Sequence, residues 1–230
     1  MAASQAETLR LFTALRLHRP AWAGALLLCI GLNDTGRALA LAALAAGAAT
    51  LFLEDEPARL REASREGCAT FTVTTLDEAL RALKNEVRQG RAITVALGGS
   101  VEQWLTESVE RGVLPHAVAA TRKLSGSEEL SISTLKHWGA ERLVGDGLAE
   151  AGEVDLAERV REVERDWELA EDVSSTQIER RAKDASLLAL AAGDAPMSAI
   201  RQQWLRAAPT LFPRALSRPY WVRRTGHRVH

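Results

Sequence analysis

The segment from Leu26 to Pro57 constrains the fold more than any other part of the chain. It reads LLLCIGLNDTGRALALAALAAGAATLFLEDEP. An apolar strand runs into a glycine turn, an alanine-rich helix, a second apolar strand and then acids. That order is the start of a dinucleotide-binding βαβ unit, whose ideal turn is G-x-G-x-x-G. Here the turn is Gly31-Leu32-Asn33-Asp34-Thr35-Gly36. The first glycine permits the tight turn, the middle one lets backbone approach a pyrophosphate, and the third lets helix pack closely on strand. Gly31 and Gly36 fill the first and third roles. Asn33 stands at the middle position and tolerates left-handed backbone better than most residues, but it keeps a side chain there. Asp34 adds a negative charge, and its repulsion of a bound phosphate is on the order of a few kcal/mol at short range.

The 230 residues suffice for one sizeable domain, or for a domain with an extension. Lysine and arginine total 29 against 30 acids, so global charge gives no argument for nucleic acid or for an anionic membrane surface. The two cysteines, Cys29 and Cys68, sit among apolar neighbours and read as packed core thiols of a reduced protein. No Cys/His spacing suits zinc, so no metal is expected. Ala2 to His18 reads as an amphipathic helix, and Leu26 to Ile30 is too short to span a bilayer. A cytoplasmic location is the expectation.

Strand and helix signals alternate along the chain. Strands are expected at Ala25–Ile30, Ala49–Leu53, Cys68–Val73, Ile93–Leu97 and Ala117–Ala120. Helices are expected at Thr35–Ala46, from Glu56-Pro57 to Glu66, at Thr75–Arg88 and at Val101–Arg111. Gly47, Gly67, Gly90 and Gly112 follow these helices as stops. Thr75 and Glu78 have capping-box spacing. Leu130–Ile132 and Arg142–Val144 read as short apolar runs flanking a helical turn at Leu135–Trp138. The pattern predicts a doubly wound, mostly parallel Rossmann-like α/β sheet with an N-terminal helix. Composition shifts near Gly145, dividing the chain into a domain over 1–147 and a helical C-terminal extension over 148–230. Within the extension, Val154 to Ala192 reads as charged helix, bent near Asp172–Thr176, followed by a helix at Ser198–Ala208.

Taken together, these segments resemble the NAD-binding core domain of urocanate hydratase (urocanase). The resemblance covers roughly Ala25 to Pro115, and more loosely runs to Gly145. Gly31-Leu32 followed by Gly36 resembles the family's GLGGMGG. Ala45-Ala46-Gly47-Ala48 with Leu53-Glu54-Asp55-Glu56-Pro57-Ala58-Arg59 resembles AGA…VEVDPAR. Leu76-Asp77-Glu78-Ala79-Leu80 resembles LDEAL, and Val109 to Pro115 resembles VRRGVRPD. The resemblance implies NAD as cofactor, with Gly31, Leu32, Asn33 and Gly36 in the turn. It also implies Glu54 on the adenosine ribose, Arg59 beside the adenosine half, and Ser100 at the place of a family asparagine.

Several family residues are replaced. Asn33, Asp34 and Arg37 stand where the family has glycines. Ala119 to Gly126 reads AATRKLSG where the family has TDQTSAHDP, so the glutamine and histidine of that segment are missing. The family's catalytic cysteine has no counterpart, since Cys29 and Cys68 lie elsewhere, and no catalytic residue is assigned. The expectation is a urocanase-like Rossmann-domain protein that lacks hydratase activity and retains weak NAD or adenine-nucleotide binding. One alternative is a non-catalytic interaction or oligomerisation protein; another is an active urocanate hydratase.

Other residues carry weaker signals. His116 and His137 lack an adjacent carboxylate or nucleophile in the sequence and read as structural. Arg122-Lys123 fall at the C-terminal edge of the expected sheet, where such folds meet ligands. The basic end Arg218–Arg228 lacks a fold that presents it to nucleic acid. The discontinuous apolar stripe of the extension needs a second surface. A homodimer with Trp167 or Trp204 near the contact is therefore expected.

Overall fold

The computed structural model describes residues 3–145, 152–192 and 197–224. The expected boundary at 147/148 lies outside those residues. Helix α1 (Gln5–His18), capped by Ser4, precedes β1 (Leu26–Ile30). Then follow α2 (Asp34–Ala46), β2 (Ala49–Glu54), α3 (Pro57–Arg65), β3 (Phe71–Val73), α4 (Leu76–Gln89), β4 (Ile93–Gly98), α5 (Val101–Glu110) and β5 (Ala117–Ala120). The chain continues through α6 (Gly126–His137), β6 (Glu141–Val144), β7 (Glu153–Asp155), α7 (Leu156–Asp166), β8 (Trp167–Val173), α8 (Gln177–Leu190), α9 (Met197–Leu211) and β9 (Ser217–Arg223).

Seven strands form one parallel sheet in the order β3-β4-β2-β1-β5-β6-β7. The doubly wound Rossmann-like architecture read from the sequence is thus present. Every residue of β1 is buried, as a central strand covered on both faces requires. Its side chains alternate between two cores. Leu27 and Cys29 join α1, α2 and the C-terminal elements, while Leu26, Leu28 and Ile30 meet α4, α5 and α6. Helix α2 is buried almost all round, because the sheet lies on one side and α1 and α9 lie on the other. Its Ala/Leu composition fits a helix with almost no solvent face. Gly47 ends it in the left-handed conformation, φ +97.

Three local readings are corrected. Leu130–Ile132 belongs to α6, because Ser125 and Glu128 form a complete capping box that starts a helix there. The Thr75 hydroxyl accepts the Glu78 amide as expected, but the Glu78 carboxylate reaches Thr74 instead of returning to Thr75. Between Val154 and Ala192 the chain is not helical throughout. β7 extends the main sheet, and β8 pairs antiparallel with β9, Leu169 opposite Trp221.

The C-terminal elements rest on α1 and α2. The Trp221 indole donates to the buried Thr13 hydroxyl of α1 at 2.8 Å, and Gln203 donates to the Ala45 carbonyl of α2 at 2.7 Å. Arg218, buried, meets Asp184 of α8 and Gln5 of α1. Trp204 is buried within its own chain, against Phe12 and Phe212, and donates to the Pro219 carbonyl. Trp167 is half-buried, with the Arg201 guanidinium over its ring.

Candidate functional site

In a doubly wound sheet the ligand crevice opens at the C-terminal strand ends where the chain's direction of winding reverses. Here that point lies between β1 and β5, with the Gly31 turn on one side and Thr121-Arg122 on the other. Gly31 has φ +94, and a Cβ on it would sit 2.8 Å from the Thr121 hydroxyl. A Cβ on Gly36 would sit 2.2 Å from the Gly31 carbonyl oxygen. Both glycines are therefore required by close approach, in the two roles read from the sequence. The Thr121 hydroxyl donates to the Gly31 carbonyl at 2.9 Å and ties β5 to the turn.

Asn33 does not adopt the left-handed conformation. It is the extended N-cap of α2, with φ −63 and ψ −174. Its Oδ1 accepts the Gly36 amide at 2.9 Å, and its Nδ2 donates to the Thr121 carbonyl at 2.5 Å. A helix N-terminus receives an anion through free amides. Here the side chain at the middle-glycine position takes one of them.

Glu54 ends β2 and is fully buried. Its Oε2 accepts the Leu32 amide at 2.6 Å and its Oε1 accepts the Glu56 amide at 2.9 Å. Burial pushes its carboxyl above the usual glutamate range, against the opposing pull of those two amides. Arg59 lies 3.8 Å from Glu54 and pairs at 3.0 Å with Glu56, its own first-turn neighbour. Ser100 caps α5 by accepting the Gln103 amide at 3.2 Å.

Arg37 stands out in the site, although the sequence showed it only as a lost glycine. It is almost fully buried, and its guanidinium meets Asp34 at 2.5 Å, Glu62 at 3.0 Å and Glu66 at 3.1 Å. It also donates to the Leu32 carbonyl. The charge of Asp34 is thus shared with a cation and does not face the crevice alone. The recurrence of acids at Glu62 and Glu66, one turn apart on α3 and at its C-cap, was the available signal for such a partner. An open cavity of about 420 Å³ lies over this group, lined by Asn33, Asp34, Arg37, Glu56, Arg59 and Glu62 among others.

Arg122 is held by Glu128 in a two-pronged pair at 2.7 and 2.9 Å, with Asp55 at 3.8 Å. That pair raises the Arg122 guanidinium and lowers the Glu128 carboxyl from their ordinary values. Lys123 is exposed beside it. His116 uses its Nδ1 to accept the Leu26 amide, and His137 is exposed at the end of α6. Both cysteines are free and buried; burial raises both thiols, Cys68 to about 12. Thiols held so far from ionisation are poor nucleophiles. Among the described residues no cluster of metal-ligating side chains occurs, and no helix is long and apolar enough to cross a membrane.

A parallel α/β sheet with a glycine turn at the switch point and an acid closing the second strand defines the Rossmann-like class of domain. More particularly, the chain belongs to the urocanase family: the urocanase Rossmann-like domain matches residues 6–124, more than half of its length. The match includes α1 and ends at Leu124, in the loop after β5.

Proposed function

We propose that this chain is a non-catalytic member of the urocanase family whose dinucleotide crevice has become a set of internal ties. It then works as an interaction scaffold and does not hydrate urocanate. The observation that carries this reading is the commitment of Glu54. Both carboxylate oxygens accept backbone amides in a fully buried position. A ribose-binding acid must instead turn an oxygen toward the ligand. Asn33 and Arg37 act in the same direction, by taking the Gly36 amide and by filling space that glycine leaves open in the family's turn. As they stand, these residues do not fit a pyrophosphate. The reading is supported by AATRKLSG at 119–126, which replaces the family segment that carries a glutamine and a histidine, and by the burial of both thiols present.

Two assays test this reading. Incubation with urocanate and added NAD should leave urocanate absorbance unchanged. Calorimetric titration with NAD should give no saturable heat. Turnover proportional to protein concentration would overturn the proposal.

The cavity over Arg37 and Arg59 favours a second reading, weak binding of an adenine nucleotide. On that reading Glu54 rotates toward the ribose and Arg59 leaves Glu56 for the adenosine half. Chemical-shift changes confined to Asn33, Glu54 and Arg59 on adding AMP would favour it over the first. Self-association is the form of scaffold we favour. Ile178 and Leu190 on α8 are 83% and 71% exposed. Light scattering on the full chain tests for a homodimer.

A further inference from the structure

A second cavity lies away from the crevice, on the outer side of α2. It has a volume of about 820 Å³, within the range of small-molecule sites. Its apolar wall comes from Leu41 and Leu44 of α2 and from Leu211 and Phe212 at the end of α9. Leu41 is buried and forms the floor, while Leu44, Leu211 and Phe212 are half-buried. Arg65, from the last turn of α3, and Arg214 stand among its lining residues, both exposed. Among the described residues neither arginine has an ion-pair partner. Glu66 also lines the cavity, but its carboxylate is turned to Arg37 at 3.1 Å. The groove therefore combines an apolar channel with two uncommitted guanidinium groups, which are well suited to a carboxylate.

We propose that this groove binds a free medium-chain carboxylate, with its acid group at Arg65 and Arg214 and its alkyl chain along Leu41, Leu44, Leu211 and Phe212. This site is separate from the dinucleotide crevice, so the proposal does not depend on the reading given above. The groove wall is anchored on both sides. Gln203 fixes α9 to the end of α2, and the Phe212 ring touches the buried Trp204. Apolar contact supplies affinity, while the arginines select an anion over a neutral chain of equal length.

The test is calorimetric titration of the full chain with dodecanoate below its micellar concentration. Dodecanol and phosphatidylglycerol vesicles serve as parallel arms. We expect saturable binding of dodecanoate at one site and at least about tenfold weaker binding of dodecanol. The double variant Arg65→Gln/Arg214→Gln should lose about tenfold in dodecanoate affinity; both side chains are exposed, so folding is not at stake. Leu44→Asp, checked for folding by circular dichroism, should abolish binding by placing a carboxylate in the channel. Equal affinity for dodecanol, or unchanged binding in either variant, would overturn the proposal. So would binding to vesicles without binding of free dodecanoate, and so would absence of saturable heat.

Discussion

The Glu54 carboxylate accepts the Leu32 amide at 2.6 Å, joining the end of β2 to the glycine turn that follows β1. The same carboxylate holds the Glu56 amide at the start of α3. One buried acid therefore fixes the geometry of two adjacent βα turns. Replacing it by glutamine keeps one acceptor but points an NH2 group at a backbone donor. Leaving a buried amide unsatisfied costs about 1–3 kcal/mol. Glu54→Gln should lower unfolding free energy by that amount in urea titration.

Glu54 also gives a pH signature. Burial raises its folded-state value above that of the unfolded chain. Between the ordinary glutamate range and the raised value, the native protein holds a proton that the unfolded chain has released. Stability contributed by this group therefore falls as pH rises through that window. Glu128 behaves in the opposite sense. Arg122 lowers its carboxyl, so its contribution is present above the ordinary range and is lost as pH falls through the lowered value. Subtracting the stability profile of Glu54→Gln from that of the wild type should leave a component that descends as pH rises above the ordinary glutamate range. The same subtraction with Glu128→Gln should leave a component that ascends from acid pH. A flat difference in either case contradicts the assignment.

Arg37 is the cation that three carboxylates share between α2 and α3. Arg37→Ala removes it and leaves the partly buried Glu66 without its partner. Because Asp34 and Glu62 remain in contact with water, the expected loss is about 2–4 kcal/mol, at or below the range for wholly buried pairs. Chemical denaturation at low and high salt would measure it. The loss should persist in high salt, since the guanidinium itself is buried.

Gly36→Ala places a Cβ 2.2 Å from a backbone carbonyl that cannot retreat without moving β1. It should cost about 3 kcal/mol or more. Gly126→Ala is the control. Nothing lies within 4 Å of its added Cβ, and it opens α6. Its effect should stay within about 0.5 kcal/mol of zero. Thermal melts of the two variants should separate them clearly.

Asn33→Ala removes a helix cap and the tie to Thr121. A loss of about 1–2 kcal/mol is expected by thermal or urea unfolding. If Asn33 is what closes the turn, Asn33→Gly should give more heat with NAD than the native chain. No heat in either protein would support the view that Glu54 and Arg37 keep the crevice closed without Asn33.

The frame of the fold was legible in local signals along the chain. Apolar runs, glycine stops and the Ala/Leu helix are local signals. They were sufficient to order β1, α2, β2, α3, α4, β4, α5 and β5, because a parallel sheet buries continuous apolar strands and leaves a characteristic text. The roles of Gly31 and Gly36 were equally legible, since each depends on a backbone approach within one βα turn. The remaining features depend on contacts between segments far apart in the chain. Trp167–Val173 carries alternation mixed with charge, and it becomes β8 only because β9, from Ser217 onward, arrives to pair with it. Propensity over a short window cannot register a partner that distant in the chain. Nor could the sequence tell where the Glu54 and Arg37 charges are spent. Spacing put Glu54 at the end of a strand; the fold turned it inward onto Leu32 and Glu56. A charged side chain is committed by whichever partners the fold brings within hydrogen-bonding distance: Glu54 by amides from two βα turns, Arg37 by carboxylates on α2 and α3.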